Sequence, residues 1–300
     1  MYKSIIILIV AVLFLYESSS LSGENKKSQT VASAKFKSEV FPIWPDGNPD
    51  GWIEKHKEES TQKGDVVRIK YINTPTLKHY FPNSGNLKKK GVIICPGGGY
   101  SILAYNIEGE VIAEFLADAG YHAFVLKYRL PRRGLDKIRY KAALQDAQRA
   151  LSIVNSRKKE FNIGKVGIMG FSAGGHLSAV TACRSGKRTY SAVDTADKFS
   201  CRPDFAALIY PAYLVTNLNA GTLAAELSIP DNMPPVFLIQ TEDDGIHVEN
   251  ALFFYLALKK KKIPAEMHIY AEGGHGYAMR KKNKPVGAWP ELFLKWLDLQ

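Results

Sequence analysis

Cysteine is scarce in this chain: Cys95, Cys183 and Cys201 are the only three among 300 residues. That excludes a disulfide-stapled scaffold. An odd count leaves at least one thiol unpaired. A Cys183–Cys201 bridge is open on spacing, whereas Cys95 stands in an apolar run and reads as a small buried hydrophobe. No cysteine or histidine spacing of the zinc or iron type occurs, so no metal is expected. There is no internal repeat and no long linker, which excludes solenoids and multidomain arrays. Long hydrophobic runs are also missing, with one exception at the start: Ile5 to Tyr16 is apolar throughout. It is short for a membrane span, which needs roughly 20 residues. Lys3 precedes it and small residues follow at Ser18 to Gly23, the pattern of a cleaved export signal over 1–22. An uncleaved anchor is the competing reading. Residues 23–39 are polar and lysine-rich and read as a flexible leader.

Acidic residues are the minority charge. Asp and Glu number 29 against 40 Lys and Arg, a formal net charge of +11. Part of the excess lies in runs at 88–90, 259–262 and 280–284. Such runs are most often solvated faces at helix ends and loops; the alternative is attraction to anionic surfaces or polymers. Aromatic residues do not interleave with them, so a nucleic-acid platform is not expected.

What is present is alternation of strand and helix patterns. Val66 to Ile72 and Leu77 to Phe81 read as an early antiparallel pair. Short apolar runs at 91–95, 122–128, 165–169, 205–210, 236–240 and 267–270 read as strands. Helical spacing appears over 107–119, 143–154, 173–183, 248–262 and 289–299, with a shorter helical stretch at 222–227. This order predicts an α/β fold: a mostly parallel sheet of about eight strands with helices on both faces, in one domain over residues 40–300. The segment from Pro211 to Pro234 could form a small lid but is too short for a cap domain.

Ligands in such sheets bind beyond the carboxyl ends of the strands. Three loops of that kind carry chemistry. Gly170-Phe-Ser-Ala-Gly174 matches G-x-S-x-G between a strand and a helix, where glycines allow a serine to sit on a sharp turn. Ser172 is therefore the candidate nucleophile. Thr241-Glu-Asp-Asp244 follows a strand and supplies the acid. Asp244 is preferred because Gly-Ile-His follows it in a tight turn, and Asp243 competes. Glu272-Gly-Gly-His275-Gly follows the last strand, and glycines flank His275 as a mobile general base requires. The order serine, acid, histidine suits this architecture. The other histidines, His56, His79, His122, His176, His247 and His268, read as structural or solvated. Pro96-Gly-Gly-Gly-Tyr100 leaves a strand in a form that can turn backbone N–H groups inward. Gly98, Gly99 and Ala173 are the candidate oxyanion donors. The loop lacks the lysine and spacing of a phosphate-binding loop.

These stretches, with FVLKYRLP, LQDAQRAL and VIICPGGGYSILAYNIEGE, resemble the α/β-hydrolases, in particular the esterase branch related to hormone-sensitive lipase and to bacterial acetylxylan and feruloyl esterases. The resemblance spans about Gly91 to Tyr277. It implies a serine carboxylic-ester hydrolase with the triad Ser172, Asp244 and His275 and no cofactor. It also implies a small ester or an acetylated polysaccharide such as xylan as substrate. Pro96 replaces the histidine of the commoner His-Gly-Gly-Gly motif, while the donor glycines remain. An exported enzyme, without nucleic-acid partner and without stable membrane association after signal cleavage, fits a polymeric substrate. A prolyl-oligopeptidase-type peptidase and a non-catalytic binding protein on the same scaffold are the rival readings.

Overall fold

The computed structural model describes residues 29–32, 36–83, 87–281 and 283–300. The export signal expected over 1–22 lies outside them. In chain order the first strands are β1 (Gln29–Ala32), β2 (Lys37–Pro42), β3 (Glu59–Lys63), β4 (Val66–Lys70), β5 (Thr76–Tyr80), β6 (Lys90–Cys95) and β7 (Leu103–Ala104). A π-turn at Asn106–Glu110 leads into α1 (Val111–Asp118), then β8 (His122–Lys127), α2 (Lys141–Ser156), α3 (Lys158–Phe161), β9 (Lys165–Phe171) and α4 (Ala173–Cys183). There follow β10 (Ala206–Ile209), β11 (Val215–Asn217), β12 (Thr222–Leu223), β13 (Val236–Thr241), α5 (Glu249–Lys260), β14 (Ala265–Tyr270) and α6 (Trp289–Leu299).

Nine strands form the main sheet in the order β1-β2-β5-β8-β6-β9-β10-β13-β14. From β8 to β14 every neighbour is parallel, and β1, β2 and β5 add an antiparallel edge. Period-2 alternation divides the strand residues between two cores. Ile93, Phe124, Ile168, Leu208 and Leu238 join the core beneath α2, α4 and α5. Val92, Val125, Met169, Ile209 and Phe237 join the core beneath α1 and α6. Both faces are thus apolar, which is why these strands read as continuous hydrophobic runs.

The chain passes from β6 to β8 on one side, then returns to β9 on the other side of β6. The loops after β6 and β9 therefore diverge at the switch point of the sheet, where a crevice forms. PGGGY follows β6 and Ser172 follows β9.

Several expectations need correction. The stretch read as a leader to residue 39 contains sheet: β1 pairs with β2, and β2 pairs with β5. This edge has few apolar side chains to betray it; only Ser38 of β2 is buried. The segments 66–72 and 77–81 do not pair with each other. β4 lies between β3 and β7 in a separate three-stranded sheet, and β5 joins the main sheet between β2 and β8. Alternation marks both as strands but carries no information on the partner. The helical stretch at 222–227 is instead β12, paired antiparallel with β11. Leu214, Ala224, Leu227 and Met233 are buried, so segment 211–234 packs on the core rather than standing off as a lid. The three cysteines are free; Cys183 Sγ faces Met233 Sδ at 3.9 Å and Cys201 Sγ faces the Ser185 carbonyl at 3.7 Å.

Candidate active site

The turn at Ser172 is tight. Ser172 has φ 52° and ψ −118°, a conformation that costs energy for a residue with a Cβ. Its N–H donates to Ile209 O at 3.0 Å, and its carbonyl accepts from His176 N–H and Ala212 N–H, each at 3.1 Å. The end of β10 thus holds the turn from beside it. A Cβ on Gly170 would come within 1.9 Å of Gly174 O, and one on Gly174 within 2.0 Å of Cys95 O. Only glycine fits at either position.

Ser172 Oγ lies 2.8 Å from His275 Nε2, and His275 Nδ1 lies 2.8 Å from Asp244 Oδ2. Asp244 is buried, and its other oxygen accepts from Ile246 N–H at 2.7 Å. Asp243 points elsewhere: its carboxylate accepts from Gly274 N–H at 2.7 Å and Gly273 N–H at 3.1 Å. Those two donors hold the Asp243 carboxyl below its ordinary range. The adjacent aspartates therefore bind two parts of one loop, one the imidazole and the other the backbone leading to it. Thr241 Oγ1 donates to Gly274 O at 3.0 Å and ties the same loop to the end of β13. The ring of Tyr210 meets that of His275 edge-on, with centroids 5.1 Å apart.

The glycine loop runs past the serine. A Cβ on Gly97 would sit 2.9 Å from Ser172 Cβ, and Gly98 has φ 130°, open only to glycine. Gly98 and Gly99 N–H groups donate to no acceptor among the described residues. Ala173 opens α4, so its N–H has no partner inside the helix. Gly97 differs: its N–H donates to Glu108 Oε2 at 2.8 Å.

Glu108 is the residue that sequence reasoning missed. It is buried on the π-turn; Tyr210 Oη donates to its Oε1 at 2.9 Å, and Ala278 N–H donates to Tyr210 Oη at 3.1 Å. One carboxylate thereby links the glycine loop, the end of β10 and the segment after His275. Burial pushes its carboxyl above the ordinary range, against the Tyr210 and Gly97 donors. The stretch NIEGEVIAEF carries three glutamates, and local pattern does not tell the buried Glu108 from the two less buried ones. Tyr128 Oη adds a further tie, donating to Pro96 O at 2.6 Å. Behind it Arg129 and Asp146 form a fully buried pair at 2.7 Å, which Trp44 Nε1 completes at 2.7 Å. The remaining histidines stand apart from Ser172 Oγ. His176 binds Tyr100 Oη and Glu226, His79 binds His122, His56 binds Glu54 and His268 binds Glu266.

A mostly parallel sheet with a serine on a strained strand-to-helix turn, and an acid and a histidine on later strand-end loops, is the α/β-hydrolase architecture. The chain has the α/β-hydrolase fold. The family model described as BD-FAE matches residues 77–219. Endo-1,4-beta-xylanase B of Butyrivibrio fibrisolvens is 32% identical over 251 residues, covering 77% of this chain and 39% of its own length. The acetylxylan esterase of Xylanibacter ruminicola is 28% identical over 217 residues, covering 64% of this chain and 42% of its own. The chain thus spans about two fifths of each of these relatives. Among solved structures, the acetyl ester-xyloside bifunctional hydrolase of Caldicellulosiruptor lactoaceticus superposes with a TM-score of 0.67 at 28% identity, over 86% of this chain and 95% of that one. The α/β-hydrolase MGS-M1 from a deep-sea metagenome superposes with a TM-score of 0.59 at 26% identity, over 82% and 98%.

Proposed function

We propose that the protein is a serine carboxylic-ester hydrolase that removes acetyl or other short acyl groups from xylan-type carbohydrate. The observation that carries the reading is the relay at 2.8 and 2.8 Å from Ser172 through His275 to buried Asp244. It stands beside a loop whose glycine N–H groups are free to donate. Ser172 Oγ attacks the ester carbonyl as His275 takes its proton. Asp244 orients the imidazole and balances the charge it gains. The N–H groups of Gly98, Gly99 and Ala173 bind the oxyanion. His275 then protonates the departing sugar hydroxyl, and water, activated by the same imidazole, releases the acyl group from Ser172. The acetylated-xylan substrate is taken from the names of the similar proteins, an acetylxylan esterase and an acetyl ester-xyloside hydrolase. The catalytic domain would include β1 and β2 and extend to residue 300, and residues 1–22 would direct export to where such polymers are met. Among the described residues no helix is long and apolar enough to cross a membrane.

The test is acetate release from acetylated xylan, run beside a chain-length series of p-nitrophenyl esters and aminoacyl p-nitroanilides. Acetyl and short acyl esters are expected to turn over, and the anilides not. Ser172→Ala is expected to lose activity by at least ~10³-fold with an unchanged melting temperature. Retained turnover in that variant refutes the assignment.

A further inference from the structure

On the side of Gly99, a cleft of about 960 Å³ opens between the glycine loop, the loop joining β8 to α2, and the small sheet of β4. The lysine runs conspicuous in the sequence do not build it. Lys90 Nζ donates to the Leu297 and Asp298 carbonyls at the end of α6, and Lys261 and Lys284 pair with surface carboxylates. The cations at the cleft come from elsewhere, chiefly the stretch Arg132 to Arg139.

Its charge is one-sided. Only two acids line its wall against six cations: Asp136 pairs with Arg132 at 2.7 Å, and Glu54 lies 2.7 Å from His56. Lys55, Arg133, Lys137 and Arg139 also line it, and none of the four has a carboxylate within ion-pair distance among the described residues. Unpaired like charges gathered around one concavity repel one another and lower stability unless an anion joins them. Guanidinium groups suit planar carboxylate and sulfate oxygens, which they meet in pairs.

The cleft also has a fixed aromatic wall. Tyr100 and Tyr213 stack with centroids 6.3 Å apart, and both hold left-handed backbone at φ 58° and 59°. Tyr100 is buried and its Oη lies 2.8 Å from His176 Nδ1. The Arg139 guanidinium rests 4.8 Å above the Tyr213 ring. Strain held in place by surrounding contacts is a mark of binding sites. Tyr213 directly follows Ala212, whose N–H donates to Ser172 O. The residue preceding this wall is therefore hydrogen-bonded to the turn that carries Ser172. A rigid aromatic surface suits the apolar face of a sugar ring, and the surrounding cations suit acidic groups on that chain.

We propose that this cleft binds an anionic polysaccharide, carboxylated or sulfated, and presents its ester to Ser172. The proposal rests on the esterase reading above and names its substrate class. Acetylated glucuronoxylan, the same polymer after carboxyl reduction, and a sulfated derivative of the reduced polymer separate the sources of charge. At low ionic strength, kcat/KM for acetate release is expected to be at least ~10-fold higher for one or both anionic polymers than for the neutral one, and the ratio to fall below ~3-fold in 0.5 M NaCl, where the screening length is a few ångströms. The anionic polymer that is preferred identifies the group. In Lys137→Gln/Arg139→Gln the ratio of anionic to neutral rates is expected to approach 1. In Lys259→Gln/Lys260→Gln, which alters the same net charge on α5, the ratio is expected to stay.

Equal rates on all three polymers overturn the proposal, as does a preference that survives salt. An equal fall of the ratio in both double variants assigns it to bulk charge and also overturns the cleft. p-Nitrophenyl acetate hydrolysis by the unaltered protein keeps the two readings apart: if it is absent, the esterase reading fails. Should the unaltered protein be inactive, retardation of Ser172→Ala in gels containing each polymer still reads the charge preference directly. Retardation by the anionic polymers alone upholds the cleft, and equal retardation by all three refutes it.

Discussion

At Asp243 and Asp244, two adjacent carboxylates reach different partners, and the difference can be measured. Asp244 meets the imidazole at 2.8 Å, whereas Asp243 accepts backbone N–H groups from the loop carrying it. Asp244→Asn is expected to lower kcat by about 10³–10⁴-fold, because the amide cannot balance an imidazolium or fix its tautomer. Asp243→Asn is expected to cost only about 10-fold, since one loop hydrogen bond is weakened and the relay remains. Steady-state kinetics on p-nitrophenyl acetate separate the two, and the reverse ranking would make Asp243 the acid. Both residues read from the sequence as carboxylates on the loop after the strand that is β13. Which of them turned inward depends on main-chain directions that neighbouring identical side chains do not encode. Glu108 is a second residue-scale case. Glu108→Ala is expected to destabilise the protein by about 1–3 kcal/mol, the cost of leaving Gly97 N–H and Tyr210 Oη unpaired. It should also slow turnover about 10–100-fold, with Glu108→Gln closer to the unaltered protein because it can still accept from Gly97. Denaturant titration and kcat check the pair.

Among the elements, the β9–α4 turn leaves the least room for change. Gly170→Ala or Gly174→Ala would press a methyl group to about 2 Å from a backbone carbonyl. Each is expected to cost more than about 4 kcal/mol, in the range of severe core disruption, with poor soluble yield as the first sign. The antiparallel pair of β5 and β8 has a different sensitivity. His79 Nε2 lies 2.9 Å from His122 Nδ1, packed among Phe81, Phe124 and Phe161. Burial holds both imidazoles neutral. It depresses His79 to about 2, with His122 adding to the effect, and depresses His122 to about 4. An unfolded histidine takes a proton near pH 6.5, so the unfolded chain binds more protons below that value. The stability this pair contributes is therefore present above pH 6.5 and is lost as pH falls toward 4 and then 2. The slope is expected to approach ~1.4 kcal/mol per pH unit for each imidazole. Melting temperatures between pH 7 and 4.5 should fall in the unaltered protein and flatten in His79→Leu/His122→Leu. A parallel fall in both would refute the assignment. The sequence marked β5 and β8 as strands but not as neighbours, since alternation is a property of one strand and pairing a property of two.

Across the whole molecule, the switch of direction around β6 brings loops from four strand ends to one crevice. Residues as distant as Gly98, Ser172, Asp244 and His275 meet there because parallel strands all deliver their carboxyl ends to one edge. Much of this was legible from local pattern: the apolar runs, the strand-to-helix turn around Ser172, the loop placement of the acid and histidine, and the helices at 173–183 and 289–299. Each depends on periodicity, glycine geometry or chain order, which neighbouring residues encode. The edge strands β1 and β2 were not legible, because an edge exposes polar side chains and has little hydrophobic pattern to read. Nor was the pairing of β11 with β12, two short segments whose partner is set by the core they cover. Charge follows the same division. Composition alone determined that the protein is basic, and the lysine runs drew attention by being contiguous. Tertiary structure decided that Lys55 joins Arg133, Lys137 and Arg139 at one cleft, because the β8–α2 connection and the segment around Lys55 meet only when the chain closes. By itself the sequence determined an α/β fold, the order of its strands along the chain, and the placing of a serine, an acid and a histidine on strand-end loops. Only the tertiary structure decided which aspartate faces His275, which carboxylate pins the glycine loop and where the unpaired cations gather, because each depends on contacts between residues far apart along the chain.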